Sequence, residues 1–162
     1  MSTPVETRPP VAAGDLAPDF DLPASGGRRV TLAGLLGRPF ILYFYPKADT
    51  SGCTREACDF QEALGVLGAS AVTVIGLSRD PIKAIEAFAA KFGLEFPLAS
   101  DLEGTVVAEY GSWIEKSMYG RKYMGIDRST FLVGGDGRIV RVWRNVKVPG
   151  HAVEVLKAAA AL

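Results

Sequence analysis

The amino-acid sequence predicts a single-domain α/β fold in which a central mixed sheet is flanked by helices and preceded by an N-terminal hairpin. Short apolar runs typical of buried strands alternate with longer segments of helical periodicity. The chain of 162 residues falls within the usual range for one domain, and it contains neither an internal repeat nor a second compositional region. Its 18 basic and 18 acidic residues cancel, so no overall field attracts nucleic acid or an anionic membrane.

Residues 1–12 are expected to form a mobile N-terminal tail, and residues 13–162 the folded domain. The first ten residues are polar and include three prolines. A hairpin is expected next, because residues 20–22 and 29–32 flank the turn-forming segment Ala24-Ser25-Gly26-Gly27. No basic-then-apolar leader is visible, and no apolar stretch approaches the roughly 20 residues of a membrane helix. We therefore expect a cytoplasmic protein that does not enter a membrane.

The rest of the chain is organised around a strand, a loop and a helix. The apolar run of residues 40–45 predicts a buried strand that stops at Pro46. A polar loop follows, and helical periodicity begins near Cys53. Apolar residues then recur at spacings of four and three along one helix face: Cys53, Ala57, Phe60, Leu64 and Leu67. Cys58 is rotated by about 140° from Cys53 on an ideal helix, so the two thiols are expected to point apart.

Downstream of this helix the alternation of strands and helices continues. A strand is predicted over residues 71–78, followed by a helix that Asp80-Pro81 begins and Gly93 ends. A short strand over residues 96–98 comes next, and then a helix that starts at the capping-box pair Ser100 and Glu103 and stops at Gly111. The last elements are a hairpin of residues 129–133 and 138–143 around Gly134-Gly135-Asp136-Gly137, and a helix from about Pro149. Trp113 and Tyr119 are expected to be core or pocket-wall aromatic residues.

Cys53 is a candidate nucleophile because of its place in the first turn of a helix. Unpaired backbone N–H groups and the positive end of the helix dipole favour an anion there, and the thiolate is the reactive form of cysteine. The alternative is a small buried hydrophobic side chain. Cys58 is the only other cysteine, and a close pair without an export signal favours a reducing compartment and catalytic use. With His151 as the single histidine, the chain lacks ligands for a zinc site.

Two motifs in this region resemble those of peroxiredoxins. Pro46, Thr50 and Cys53 match the pattern Pro-x-x-x-Thr-x-x-Cys, and the stretch Cys-Thr-x-Glu-Ala-Cys that ends at Cys58 is similar to the bacterioferritin comigratory protein branch, also called peroxiredoxin Q. The resemblance extends from Ala17-Pro18-Asp19-Phe20 to Val148-Pro149-Gly150-His151 and implies a thioredoxin-like fold. Ser51 stands where this branch usually has proline, which makes the loop less rigid but removes no reacting group.

The resemblance also implies roles for individual side chains. Thr50 holds the peroxide, a role compatible with its simpler interpretation as a helix cap, and Pro46 shields the thiolate from water where it otherwise only ends the strand. Arg128, in the segment Gly-Ile-Asp-Arg-Ser-Thr-Phe, stabilises the thiolate and the polarised O–O bond; the alternative is a surface ion pair with Asp127. Glu56 is either the acidic residue of this branch or a side chain that only complements the helix dipole.

By the same resemblance the protein is a thiol peroxidase that reduces hydrogen peroxide or alkyl hydroperoxides. Cys53 becomes sulfenic acid, Cys58 condenses with it to an intramolecular disulfide, and thioredoxin or a similar dithiol protein restores both thiols. We expect no cofactor, metal or nucleic acid, and a monomer or weak dimer. The competing interpretations on the same fold are a redox sensor and a dithiol–disulfide oxidoreductase, which characteristically uses Cys-x-x-Cys.

Helix geometry places a condition on the disulfide between Cys53 and Cys58. Five residues of ideal helix separate two α-carbons by about 8.6 Å, whereas a disulfide usually requires about 4.4–6.8 Å. The first one or two turns of the helix are therefore expected to unwind before the bond forms.

Overall fold

The structure, a computed structural model, describes residues 10–67 and 72–162. The strands are β1 (Asp21–Ala24), β2 (Arg28–Thr31), β3 (Phe40–Phe44), β4 (Thr73–Ser78), β5 (Leu98–Ser100), β6 (Trp113–Met118), β7 (Arg121–Ile126), β8 (Ser129–Val133) and β9 (Ile139–Trp143). The helices are α1 (Leu32–Leu35), α2 (Ser51–Leu67), α3 (Ile82–Phe92), α4 (Thr105–Glu109) and α5 (His151–Ala160).

Seven of these strands form one mixed sheet in the order β2-β1-β5-β4-β3-β8-β9. The strands β3, β4 and β5 are parallel, while β8 pairs antiparallel with β3, and β1 pairs antiparallel with β5. The two remaining strands, β6 and β7, form a separate hairpin. This arrangement confirms the predicted mixed sheet and N-terminal hairpin.

Strand β3 is buried along its whole length and separates two hydrophobic cores. Because successive side chains of a strand point to opposite faces, Ile41 and Tyr43 join the core formed with α2, α3 and α5. Phe40, Leu42 and Phe44 join the second core, which includes residues of α4. The end of β3 therefore leads the chain directly to the start of α2, at the edge of the first core.

Most predicted elements are present, with shifts of a few residues at their ends. The helix predicted to begin near Cys53 is α2, and Gly93 ends α3 in the left-handed conformation, at φ 63°. The short strand predicted over residues 96–98 is found at Leu98–Ser100 instead. Residues 1–9, Ala71 and the side chain of Leu67 lie outside the described residues, so the predictions that concern them stay predictions.

Two predicted helix caps are wrong. Pro81 occupies the N-cap position of α3 without a side-chain bond, and the carboxylate of Asp80 accepts hydrogen bonds from a loop and a strand instead. Gly104 is the N-cap of α4, so Ser100 and Glu103 form no capping box. An acidic residue next to proline satisfies the sequence rule for a helix cap. Its carboxylate can nevertheless accept hydrogen bonds from better-placed donors elsewhere in the fold.

The hairpin β6–β7 was not predicted, and its turn explains why the interpretation of Tyr119 is wrong. Tyr119 and Gly120 form a two-residue turn with φ of 52° and 78°, and the side chain of Tyr119 is 98% exposed rather than part of a core. Such turns favour Asn-Gly or Asp-Gly, so a Tyr-Gly pair gives a weak signal. Within the described ranges, none of the helices is both long and apolar enough to cross a membrane.

Candidate active site

The start of α2 places Cys53 at the edge of the first core. The carbonyl of Thr50 accepts the first helical hydrogen bond from the amide of Thr54, at 2.8 Å, so Cys53 is the third residue of the helix. Its side chain is 1% exposed. The thiol thus lies in the first turn, where the helix dipole favours a negative charge, and it is largely shielded from water.

Arg128 reaches this thiol from the loop between β7 and β8. Its Nη2 donates a hydrogen bond to Sγ of Cys53 at 3.3 Å. Gly52 permits the approach, because a Cβ atom at that position would lie 3.3 Å from the same nitrogen and crowd it. A fixed cation that donates to sulfur stabilises the thiolate and any negative charge that develops beside it.

The second terminal nitrogen of Arg128 holds Glu56, one turn further along α2. Nη1 donates to Oε1 of Glu56 at 2.6 Å, and the Glu56 side chain is 1% exposed. Burial raises the pKa of Glu56 to about 7, although Arg128 acts in the opposite direction. Burial works to lower the pKa of Arg128, but Glu56 and Cys53 outweigh it and raise that pKa, so the guanidinium stays charged.

Pro46 and Thr50 lie on the exposed loop that joins β3 to α2. The hydroxyl of Thr50 donates to the carbonyl oxygen of Lys47 at 2.8 Å, which leaves its oxygen lone pairs available to accept a hydrogen bond. Both residues precede Cys53 in the chain, and Thr50 is the residue directly before α2.

Cys58 lies further along α2 and is partly exposed, whereas Cys53 is buried. Burial, and then the nearby carboxylate of Asp59, raise the pKa of Cys58. The two thiols are free, and both lie on the continuous helix Ser51–Leu67. Cys53 belongs to the first core and Cys58 packs against the same core, so the predicted opposite directions of the two side chains stay a prediction.

Sequence reasoning missed Lys116, which belongs to the unpredicted hairpin. Its side chain lies over Gly125 and is partly buried, and this burial lowers its pKa, while Asp127 raises it. Arg128 also lowers the pKa of Lys116 and Cys53 raises it, both less than burial does. The sequence shows no regular pattern of polar and apolar residues around this position, because most side chains of the hairpin are exposed.

His151 takes a structural place in the first core. Its Nε2 shares a hydrogen bond with Oγ1 of Thr130 at 2.8 Å, and the rings of Phe60 and Trp143 meet it edge-on. Burial lowers the pKa of His151 to about 4, so the ring is neutral at neutral pH. In the part of the chain that is described, no three histidine, cysteine, aspartate or glutamate side chains cluster as metal ligands.

Comparison with known proteins identifies the family of this chain. The sequence profile of the AhpC/TSA family matches residues 13–142. Peroxiredoxin Bcp of Xanthomonas campestris is 44% identical over 144 residues, which cover 88% of this chain and 90% of that protein. Peroxiredoxin Bcp of Escherichia coli is 41% identical over 147 residues, which cover 91% and 94%.

Solved structures give the same result. The bacterioferritin comigratory protein of Xanthomonas campestris superposes with a TM-score of 0.85 at 40% identity, over 93% of this chain and 98% of that one. A mutant of Xylella fastidiosa PrxQ also reaches 0.85 at 40% identity, over 92% and 95%. These likenesses confirm the thioredoxin-like fold. The chain therefore belongs to the AhpC/TSA family, in its Bcp or peroxiredoxin Q branch, and is a thiol peroxidase.

Proposed function

We propose that Cys53 is the peroxidatic residue and that it reduces hydrogen peroxide and organic hydroperoxides. The observation that carries this proposal is the 3.3 Å hydrogen bond from Arg128 to a thiol that is 1% exposed, in the first turn of α2. Burial and then Asp59 raise the pKa of Cys58, the opposite of the effect of a nearby cation. Of the two cysteines, Cys53 therefore has the surroundings that stabilise a thiolate.

In the proposed reaction the Cys53 thiolate attacks the terminal oxygen of the peroxide. An S–O bond forms, the O–O bond breaks, and the leaving hydroxide or alkoxide takes a proton and departs as water or an alcohol. Sulfur is oxidised to sulfenic acid and the peroxide is reduced. Arg128 stabilises the negative charge on the reacting oxygens, Thr50 accepts the peroxide O–H with its free lone pairs, and Pro46 covers the thiolate.

Cys58 is the proposed resolving thiol. Its sulfur attacks the sulfenic acid of Cys53, a disulfide forms and water leaves. Both cysteines lie on the intact helix α2, and ideal geometry separates their α-carbons by about 8.6 Å, so the first turns must unwind to bring the sulfurs together. Glu56 belongs to the segment that unwinds, and its bond to Arg128 holds this segment in the reduced enzyme.

A dithiol protein such as thioredoxin is the proposed reductant. Its thiolate attacks the disulfide, and a second exchange restores Cys53 and Cys58 as thiols while the partner is oxidised. The Xanthomonas campestris relative was solved in work on its alkyl peroxide reduction activity, which supports organic hydroperoxides among the substrates. We further propose that the protein works in the cytoplasm as a monomer or weak dimer, without nucleic acid or membrane as partner.

A peroxidase assay with two alternative reductants, thioredoxin and dithiothreitol, tests the proposed function. The protein should consume hydrogen peroxide and cumene hydroperoxide when thioredoxin, or dithiothreitol alone, is supplied, and Cys53→Ser should be inactive with both peroxides. Cys58→Ser should lose turnover with thioredoxin. Insulin reduction without peroxide consumption would indicate a dithiol–disulfide oxidoreductase, and stoichiometric oxidation without turnover would indicate a redox sensor.

A further inference from the structure

The carboxylate of Asp80 binds the loop that precedes the catalytic helix. Oδ2 of Asp80 accepts a hydrogen bond from the backbone amide of Ala48 at 2.8 Å and another from Oγ of Ser78 at 2.7 Å. The residue follows the end of β4, 32 positions along the chain from Ala48. The carboxylate therefore links two segments of the first core, although its position before α3 suggests a helix cap.

The loop held by this bond carries Thr50. Ala48 and Asp49 are the middle residues of a turn that Thr50 closes with a hydrogen bond from its hydroxyl to the carbonyl of Lys47, at 2.8 Å. Asp49 has a φ of 61°, in the region that favours glycine, so the turn has a strained backbone that needs outside support. The amide of Ala48 has its partner in Asp80.

Asp80 is itself fixed from two sides. Its carbonyl accepts a hydrogen bond from Oγ of Ser100 at 2.6 Å, and its carboxylate is oriented by Ser78, which is fully buried on β4. At the start of the loop, the amide of Tyr45 donates to the carbonyl of Leu77 at 3.0 Å. The sheet thus provides a rigid frame, and the Asp80 carboxylate extends this frame to the backbone of the turn, while Lys91 of α3 binds the exposed carboxylate of Asp49 at 2.9 Å.

We propose that Asp80 is a positioning residue for peroxide reduction, which it supports by holding the turn that carries Thr50 directly before the helix of Cys53. The proposal rests on the proposed function, in which Thr50 binds the peroxide. Asp80 touches neither the thiol nor the peroxide in this account. A displacement of about 1 Å at a substrate-binding group can lower a rate about 100-fold, so loss of the Ala48 bond is expected to act on the peroxide reaction specifically.

A double-mutant cycle on Asp80 and Thr50 tests this, with Cys58→Ser as the parent so that one thiol reacts. We expect Asp80→Ala to slow the oxidation of Cys53 by hydrogen peroxide about 10- to 100-fold, and to leave its alkylation by iodoacetamide within about two-fold, since iodoacetamide does not need Thr50. In a Thr50→Val background, Asp80→Ala should cause almost no further decrease in the rate of Cys53 oxidation. Asp80→Asn, whose amide oxygen still accepts from Ala48, should restore most of the rate.

Three results would overturn the proposal. Additive losses in the Asp80→Ala/Thr50→Val pair would mean that Asp80 does not act through Thr50, and an equal loss of peroxide and iodoacetamide reactivity would mean a general disturbance of Cys53. If Asp80→Ala does not fold, Ser78→Ala gives the same comparison with a smaller expected loss, because it removes the bond that orients the carboxylate and a weaker one from the Asp80 amide to Oγ of Ser78. If the parent oxidises rapidly and Asp80→Ala matches it, the positioning role fails while the proposed function stands.

Discussion

Glu56 and Arg128 form a buried ion pair in which Oε1 and Nη1 are 2.6 Å apart, and the same guanidinium donates to Sγ of Cys53. A carboxylate and a thiolate therefore share one cation. The second oxygen of Glu56 is buried without a hydrogen-bond partner among the described residues. Ionisation of Glu56 is costly in such a place, which makes its protonation state a variable of the site near neutral pH.

The peroxide reaction should depend on the titration of Glu56. With its pKa raised to about 7 by burial, Glu56 is neutral below that value and ionised above it. Ionised Glu56 draws the guanidinium away from the reacting oxygens, so the rate constant per thiolate should fall about two- to ten-fold between about pH 6 and 8. Glu56→Gln should abolish this decline. Stopped-flow oxidation, corrected for the thiolate fraction by ultraviolet absorbance, measures the rate constant per thiolate. An identical pH profile in the parent and in Glu56→Gln would contradict the dependence on Glu56.

Replacement of Arg128 should slow the oxidation of Cys53 strongly. Arg128→Met removes the fixed donor to sulfur, and loss of one such preorganised donor typically costs about 100- to 1,000-fold in rate. Arg128→Lys keeps the charge but cannot reach Glu56 and Cys53 together, so we expect an intermediate loss. Arg141→Met is the matched control, because Arg141 pairs with Glu154 at the surface. Competition against a second peroxidase for limiting peroxide measures the rates. Equal rates in the Arg128 and Arg141 variants would exclude the proposed role.

His151 should make the fold less stable in acid. Its pKa is about 4 in the folded protein because of burial, below the ordinary 6.5, so the unfolded chain takes up the proton first. The contribution of neutral His151 to the free energy of unfolding is complete above about pH 6.5. It declines as the pH falls towards about 4, by about 3 kcal/mol in total. Glu154 raises the pKa and Arg128 lowers it, both less than burial does.

The matched variant for this prediction is His151→Asn, which retains a polar side chain beside Thr130 but does not titrate. Urea unfolding at several pH values gives the free energy of unfolding of each protein. The free energy of unfolding of the parent minus that of the variant should fall as the pH falls from about 6.5 to 4. This holds whatever the absolute loss caused by the substitution. A constant difference across this range would show that the ring is not buried in its neutral form.

The order of strands and helices was predictable because burial leaves a regular trace in sequence. The run at β3 is apolar throughout since both faces of this strand are covered, and α2 shows its apolar stripe from Cys53 to Phe60 since one face packs on the sheet. The hairpin β6–β7 leaves no such trace. Most of its side chains are exposed, so alternation of polar and apolar residues carries no information there.

Most members of the candidate site were predictable from the sequence, but Lys116 and several of the contacts were not. Cys53 and Thr50 are neighbours in the chain, and local geometry alone brings them together. The link from Arg128 to Glu56 spans 72 positions and the link from Asp80 to Ala48 spans 32. Three-dimensional packing decides which partner a charged side chain takes over such distances. The sequence therefore left open whether Arg128 pairs with Asp127, and it wrongly predicted Asp80 as a helix cap.

The helix that carries both cysteines should unwind when they are oxidised. In the reduced protein the amide of Thr54 bonds to the carbonyl of Thr50 and helix α2 is continuous, so the amides of residues 53–60 should be protected from hydrogen exchange. The disulfide requires a shorter separation of the α-carbons than an intact helix allows. We expect this protection to fall about 100-fold or more on oxidation while the amides of β3 keep theirs. Unchanged protection of residues 53–60 in the disulfide form would contradict the mechanism of resolution.

The most direct test of the central claim, that Cys53 takes the oxygen and Cys58 resolves it, is peptide mass spectrometry after one equivalent of hydrogen peroxide. The parent protein should lose two hydrogen atoms and yield a disulfide between Cys53 and Cys58. Cys58→Ser should instead gain one oxygen, trapped on Cys53 by a sulfenic-acid reagent, and a second oxygen with excess peroxide. Cys53→Ser should remain unmodified on this timescale. The account is contradicted if Cys58 is the oxidised residue in Cys53→Ser, or if the parent protein accumulates Cys53 sulfenic acid without forming the disulfide.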